Sequence, residues 1–125
     1  MNETEQTFVY DTYALIEILN KNPNYETYTK QNVIINDFIF AEFCYSLIKD
    51  NIEDMKQYTE ELKPAIIHVS SELIEDAMKF RYENKKKKLS MADCISYLMA
   101  KNFSIKFLTG DKEFENMENV EFVKK

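Results

Sequence analysis

Apolar and polar positions switch between two periods along the chain, and the switches mark its elements. Thr7–Tyr10, β-branched and aromatic, predicts a short strand that runs into Asp11. From Thr12 to Lys21 the apolar residues Tyr13, Ala14, Ile16 and Leu19 take helical spacing, and Asn22-Pro23-Asn24 ends that helix. The polar, tyrosine-bearing stretch up to Gln31 has no clear period and predicts no element. Asn36 is placed to cap a helix from Asp37 to Asp50. Ile52, Met55, Tyr58 and Leu62 mark one face of a third helix, stopped by Pro64. Ala65–Val69 is a continuous apolar run, which predicts a strand covered on both faces, with His68 a core histidine inside it. Ser70 or Ser71 caps a helix whose apolar side carries Leu73, Ile74, Ala77, Met78 and Phe80. The lysine run Lys85–Lys88 separates it from a helix at Met91–Asn102 that is apolar almost all round. A strand at Ile105–Leu108, a short helix at Lys112–Met117 and a strand at Val120–Val123 close the series.

Strands separated by helices, with no hairpin turn signal, require crossover connections and hence a parallel sheet between helices. The fold class is therefore α/β, and 125 residues without a repeat or linker predict a single domain over 1–125. In such a sheet the C-terminal ends of the strands share one edge, where ligands bind. The longest apolar runs, Phe38–Tyr45 and Ala65–Val69, fall far short of the ~20 residues of a membrane helix. The polar, acidic start Met1–Gln6 is unlike a signal peptide, so a soluble, cytoplasmic protein without membrane contact is expected.

The rare residues narrow the chemistry. A single glycine, Gly110, excludes the Walker A loop, the GxGxxG turn and the GxSxG elbow together. A single histidine, His68, argues against His-rich metal sites and nucleophilic triads. Cys44 and Cys94 lie far apart in apolar segments, form no CxxC motif and read as buried reduced thiols. Chemistry, if there is any, falls to carboxylates.

Four carboxylates stand out. Asp11 follows the first strand, and Asp111 follows the Ile105–Leu108 strand after Thr109-Gly110, so both belong to one sheet edge. Each is also a plausible helix cap. Asp93, third in a helix capped by Ser90, suits the helix dipole, yet its neighbours Met91, Ala92, Cys94 and Ile95 make that helix face protein. Glu42 sits in F-I-F-A-E-F-C-Y with no cation at helical distance, and its apolar surroundings predict a buried carboxylate that needs a tertiary cation, a raised pKa or a metal ion. Four such acids favour a divalent metal site. Hard oxygen ligands without His or Cys select Mg²⁺ or Mn²⁺, whose usual task is phosphate-ester chemistry.

At these residues the sequence resembles the PIN-domain ribonucleases, especially the small VapC-type toxins of toxin–antitoxin systems. The resemblance rests on F-V-Y-D-T-Y-A-L-I, F-A-E-F-C-Y-S-L-I, L-S-M-A-D-C-I-S-Y-L-M-A and I-K-F-L-T-G-D-K-E-F, in the family's order over nearly the whole chain. It implies a PIN fold, a parallel sheet of four or five strands with helices on both faces. It implies metal-dependent cleavage of RNA that leaves a 5′-phosphate and a 3′-hydroxyl, a homodimer, and a cognate antitoxin as partner. Carried over position by position, it makes Asp11, Glu42, Asp93 and Asp111 the metal-binding catalytic acids, Thr109 and Thr12 supporting polar groups, and Glu113 a further acid of some relatives. The chain departs from the family pattern at Tyr13, where many relatives have Ser or Thr. It departs again at Asn102-Phe103, where several have Gly and where Asn tolerates a left-handed turn.

Charge bears on the substrate. With 16 basic and 22 acidic residues the net charge is −6, which argues against broad binding to nucleic acid. Setting the four acids aside leaves 16 against 18, or −2. Lys79, Arg81 and Lys85–Lys88 also put six of the sixteen basic residues within ten positions. That run reads either as a grip on RNA phosphates or as a solvated helix end complementing the dipole. Tyr25, Tyr28, Tyr45 and Tyr97 read as packing or dimer surface before base stacking. The alternative to a ribonuclease is a catalytically silent PIN-like binding or assembly module.

Overall fold

The computed structural model describes residues 5–125, so Met1–Thr4 of the polar start lie outside it. The described residues form four strands, β1 (Thr7–Tyr10), β2 (Asn32–Ile34), β3 (Lys106–Thr109) and β4 (Val120–Phe122). They form one sheet in the order β2-β1-β3-β4, with every pairing parallel. Among the described residues five α-helices connect them: α1 (Thr12–Leu19), α2 (Asp37–Lys49), α3 (Met55–Leu62), α4 (Ser71–Glu83) and α5 (Met91–Asn102). The fold is the α/β class expected from the sequence.

Phe8, Val9 and Tyr10 are all buried, as are Phe107, Leu108 and Thr109. Successive strand residues point to opposite faces, so β1 and β3 are covered on both sides. Helix α5 packs on β1 and β3, and α1 packs on the same two strands. The crossover from β1 to β2 and the one from β2 to β3 run in opposite directions along the sheet, so a right-handed connection in each puts these two helices on opposite faces. The Phe107 ring meets Phe114 edge-on at 5.2 Å, and Tyr97 of α5 packs against Phe114 at 5.5 Å. Phe114 belongs to a 3₁₀ turn, Lys112–Phe114, so this cluster anchors the chain just after β3.

The caps follow the sequence. Asn36 is fully buried and accepts from the Phe38 and Ile39 amides at 3.0 Å, while its amide group donates to Ser96 Oγ at 3.0 Å. Ser70 accepts from the Leu73 amide and Ser90 from the Asp93 amide. Helix α1 ends two residues earlier than its periodicity suggests, because Lys21 turns left-handed at φ 60°.

Several expectations need correction. Ala65–Val69 is not a strand: a 3₁₀ turn covers Lys63–Ala65, and one parallel bridge joins Ile35 to Ile66. Pro64 has no amide to donate, and the segment lies beyond the edge strand β2, so the ladder stops after one bridge. Consequently His68 is no core histidine. Its side chain is 83% exposed, with Nδ1 2.8 Å from Asp37 Oδ2. The stretch up to Gln31, whose pattern predicts no element, forms a 3₁₀ segment, Pro23–Lys30, and β2 follows it. The left-handed residue before β3 is Ser104, at φ 57°, while Asn102 remains helical. The short helix expected at Lys112–Met117 is only the one 3₁₀ turn. Cys94 is buried, but Cys44 is half-buried. Tyr25 and Tyr97 are core residues, Tyr28 is half-buried, and Tyr45 is exposed.

Two features tie the C-terminal segment down. The Tyr25 hydroxyl donates to the Val123 carbonyl at 2.7 Å, and Asn24 Nδ2 donates to that of Lys124 at 3.1 Å. Among the described residues no helix is long and apolar enough to cross a membrane.

Candidate active site

The chain leaves β1 toward β2 on one side and reaches β3 on the other, so the crevice between the C-terminal ends of β1 and β3 is the sheet's switch point. Asp11 stands there at the end of β1. Its amide donates to the Leu108 carbonyl at 3.0 Å, extending the β1–β3 ladder by one step. Its carboxylate caps α1, with Oδ1 accepting from the Ala14 amide at 2.9 Å, and Oδ2 accepts from the Thr109 hydroxyl at 2.5 Å. Thr109 Oγ1 in turn accepts from the Asp111 amide at 3.1 Å, so one buried hydroxyl couples both strand-end acids.

Asp11, Glu42, Asp93 and Asp111 line a single cavity of about 470 Å³, together with Thr12, Tyr13, Ser90, Gly110 and Lys112. Asp93 enters from the first turn of α5 and Glu42 from α2. Thr12 donates to Glu42 Oε1 at 2.7 Å. The expectation of a buried Glu42 is wrong: the residue is exposed at the cavity mouth, because its side of α2 faces the crevice and Phe43 takes the core side. Glu113 does not line the cavity. Its amide donates to Asp111 Oδ1 at 3.0 Å, and its carboxylate lies by the lysine turn, accepting from the Lys88 amide at 3.4 Å. The lysine run splits as well, since Lys85, Lys87 and Lys88 line a neighbouring cavity and Lys86 does not.

Sequence reasoning assigned no site role to Tyr13, Ser90, Gly110 or Lys112. Ser90 had a local signal, three residues before Asp93, but was read only as a cap. Gly110 is required by close approach. A Cβ there would meet the Tyr13 ring and the Tyr25 hydroxyl.

The electrostatics are those of crowded acids. Burial pushes the Asp11 carboxyl up to about 7, against the hydrogen bonds from Thr109 and Ala14, and the Asp93 charge adds to the rise. Burial also pushes Asp93 up to about 6; hydrogen bonding to Ser90 opposes this, while Asp111 and Glu42 reinforce it. Among the described residues none of the four has a cation within 4 Å, although Lys112 stands on the cavity wall.

No three acidic, thiol or imidazole groups among the described residues are close enough to close a coordination shell as they stand. The donor set nevertheless fits a hard divalent cation: oxygen ligands only, converging on one cavity and repelling one another without a counter-charge.

Fold and site together define a class, a parallel α/β protein with an acid-lined crevice at its switch point. The chain belongs to the PIN domain family, whose model matches residues 8–120. Among solved structures it is similar to VapC20 of Mycobacterium tuberculosis, described as a sarcin-ricin loop cleaving toxin. The two share 15% identity with a TM-score of 0.79, covering 94% of this chain and 99% of that one. A toxin–antitoxin complex from Klebsiella pneumoniae matches at 20% identity and a TM-score of 0.73, over 91% and 95% of the two chains. VapBC2 from Rickettsia felis, bound to a DNA fragment from its promoter, matches at 17% and 0.69, over 95% and 98%. A comparison with curated proteins gives no match.

Proposed function

We propose that this protein is a Mg²⁺- or Mn²⁺-dependent endoribonuclease of the VapC kind, acting as the toxin of a toxin–antitoxin pair. The observation that carries the reading is the convergence of Asp11, Glu42, Asp93 and Asp111 on one cavity at the switch point, with two of them held above their usual carboxylate range. Held by these acids, a divalent ion would supply Lewis-acid polarisation of the scissile phosphate and a more acidic attacking water. The chain's own residues do the rest. Thr109 orients Asp11 and, through its contact with the Asp111 amide, fixes the two strand-end carboxylates relative to each other. Thr12 steadies Glu42 at the mouth, and Ser90 holds the first turn of α5 that carries Asp93. Lys112 offers a positive charge beside the cavity for a phosphate oxygen.

The same reading takes residues 1–125 as a single PIN-like, cytoplasmic domain. It also includes a homodimer, supported by Tyr45 and Ile48, which lie 67% and 61% exposed on α2. A cognate antitoxin is the further partner. An apolar groove of about 400 Å³, lined by Leu15, Ile18 and Leu19 of α1 and by Tyr58 and Leu62 of α3, supports a partner with an apolar surface.

The test is cleavage of single-stranded RNAs with Mg²⁺, Mn²⁺ or EDTA, alongside thermal melting. Activity with either metal, its loss in EDTA, and its loss in Asp11→Asn and Asp93→Asn with the fold intact are the expected results. A protein inactive on varied RNAs, whose melting no metal shifts, is a silent binding module instead.

A further inference from the structure

A second cavity, of about 550 Å³, adjoins the acid-lined one and has the opposite charge. Arg81, Lys85, Lys87 and Lys88 line it, with Met78, Leu89 and Tyr82 as its apolar wall. Two connections join the cavities. Leu89 borders the basic one and the next residue, Ser90, borders the acidic one. Glu113 bridges them a second time: its amide donates to Asp111 Oδ1, while its carbonyl accepts from Lys87 Nζ at 3.2 Å and its carboxylate from the Lys88 amide. Arg81 Nε donates to the Leu89 carbonyl at 3.0 Å, which fixes the end of α4 against the strand of chain entering α5.

The positive charge here is not neutralised internally, although Arg81 and Lys87 each donate to a backbone carbonyl and Lys85 Nζ donates to the Tyr82 hydroxyl at 3.4 Å. Among the described residues none of these four has a carboxylate within 4 Å. Tyr82 is 70% exposed, with Lys85 Nζ 4.4 Å from its ring centre. A cluster of cations without carboxylate partners beside an exposed aromatic ring matches one nucleotide of an unpaired strand, phosphate on the cations and base on the ring face that Lys85 leaves open. In a chain of net charge −6 it is also a local attraction for a polyanion.

We propose that this basic cavity is a subsite for a nucleotide flanking the scissile phosphate of single-stranded RNA, so that the strand runs from the basic cavity across Ser90 into the acidic one. The assignment rests on the nuclease reading for the position of the scissile bond. Lys85, Lys87 and Lys88 hold the flanking phosphate, and Tyr82 stacks the base.

The test compares wild type, Lys85→Ser/Lys87→Ser/Lys88→Ser and Tyr82→Ala, with Tyr82→Phe as the conservative variant. Filter binding of a labelled oligoribonucleotide in EDTA across a salt series is measured first. The lysine variant should show a slope of log affinity against log salt shallower by roughly 1. Tyr82→Ala should lose about tenfold in affinity and Tyr82→Phe almost none. With Mn²⁺ present, the lysine variant should raise KM about tenfold with little change in kcat, a split that general loss of structure would not produce. Unchanged slope and unchanged KM would overturn the subsite and leave the lysines a solvated helix end. If wild type cleaves and the variants behave like it, the subsite falls while the nuclease reading stands. If wild type binds RNA without cleaving it and the lysine variant loses the salt slope, the anion subsite stands and the nuclease reading falls.

Discussion

Asp11 is where burial and function pull hardest against each other. Only 3% of the residue is exposed, and its carboxyl is pushed up to about 7 by burial, with Asp93 as the nearby like charge and Thr109 and the Ala14 amide opposing. A carboxylate whose folded pKa lies above its unfolded value stabilises the fold fully below the unfolded pKa and loses that contribution as pH rises through about 7. Metal-free protein should therefore melt several degrees lower at pH 8 than at pH 5 through this group, at ~1.4 kcal/mol per pKa unit. Asp11→Asn should remove most of that pH dependence and raise the melting temperature at pH 8; a wild-type curve that is flat or rises over this range counts against the account. Gly110 gives a second residue-level test. Gly110→Ala overpacks the contact with Tyr13 and Tyr25 and should cost about 1–3 kcal/mol in chemical denaturation. Adding Tyr13→Ala should restore part of the loss, because the half-buried Tyr13 ring is the nearer obstacle. Asp11, Asp93 and Asp111 were legible in the sequence because each follows a strand end or a cap signal. Glu42 stood out for a wrong reason: apolar neighbours in sequence do not bury a helical residue, because only the stripe Ile39, Phe43 and Leu47, four residues apart, faces the core.

Among the elements, α2 depends most on one side chain. Asn36 caps it and also satisfies Ser96 inside the protein, so Asn36→Ala loses a cap and leaves a buried hydroxyl without its partner. The expected cost is about 2–3 kcal/mol, measured by urea unfolding, with weaker metal binding because Glu42 rides on the same helix. Asn36→Asp, which keeps the acceptor, should recover the amide bonds but not the donation to Ser96. The helices were readable because periodicity and caps agree locally. The edge of the sheet was not. Asn32–Ile34 has only three residues and carries no period long enough to detect, whereas Ala65–Val69 looks like a strand and lacks a partner ladder. Strand pairing is a non-local fact, and composition alone does not reveal which side of β1 a run will meet.

Across the whole molecule, metal and proton compete for the same crevice. Mn²⁺ or Mg²⁺ should raise the melting temperature, and more at pH 8 than at pH 5.5, because Asp11 and Asp93 must lose protons before they can ligate. Equal shifts at both pH values would place the ion elsewhere. The α/β class and the meeting of Asp11 with Asp111 were legible because parallel topology forces strand ends to one edge, whereas Glu42 and Asp93 reach that edge on helices. The basic cavity was half legible: Arg81 and the lysines stood out as a basic run, but Tyr82 and Leu89 join them only once the turn after α4 folds back. The tether at Tyr25 bears on truncation of the protein. The Tyr25 hydroxyl that holds the Val123 carbonyl is the same one against which Gly110 is packed, so the last residues of the chain stand two contacts from Asp111. Deletion of Val123–Lys125 strips the Tyr25 phenol of its acceptor next to the acids.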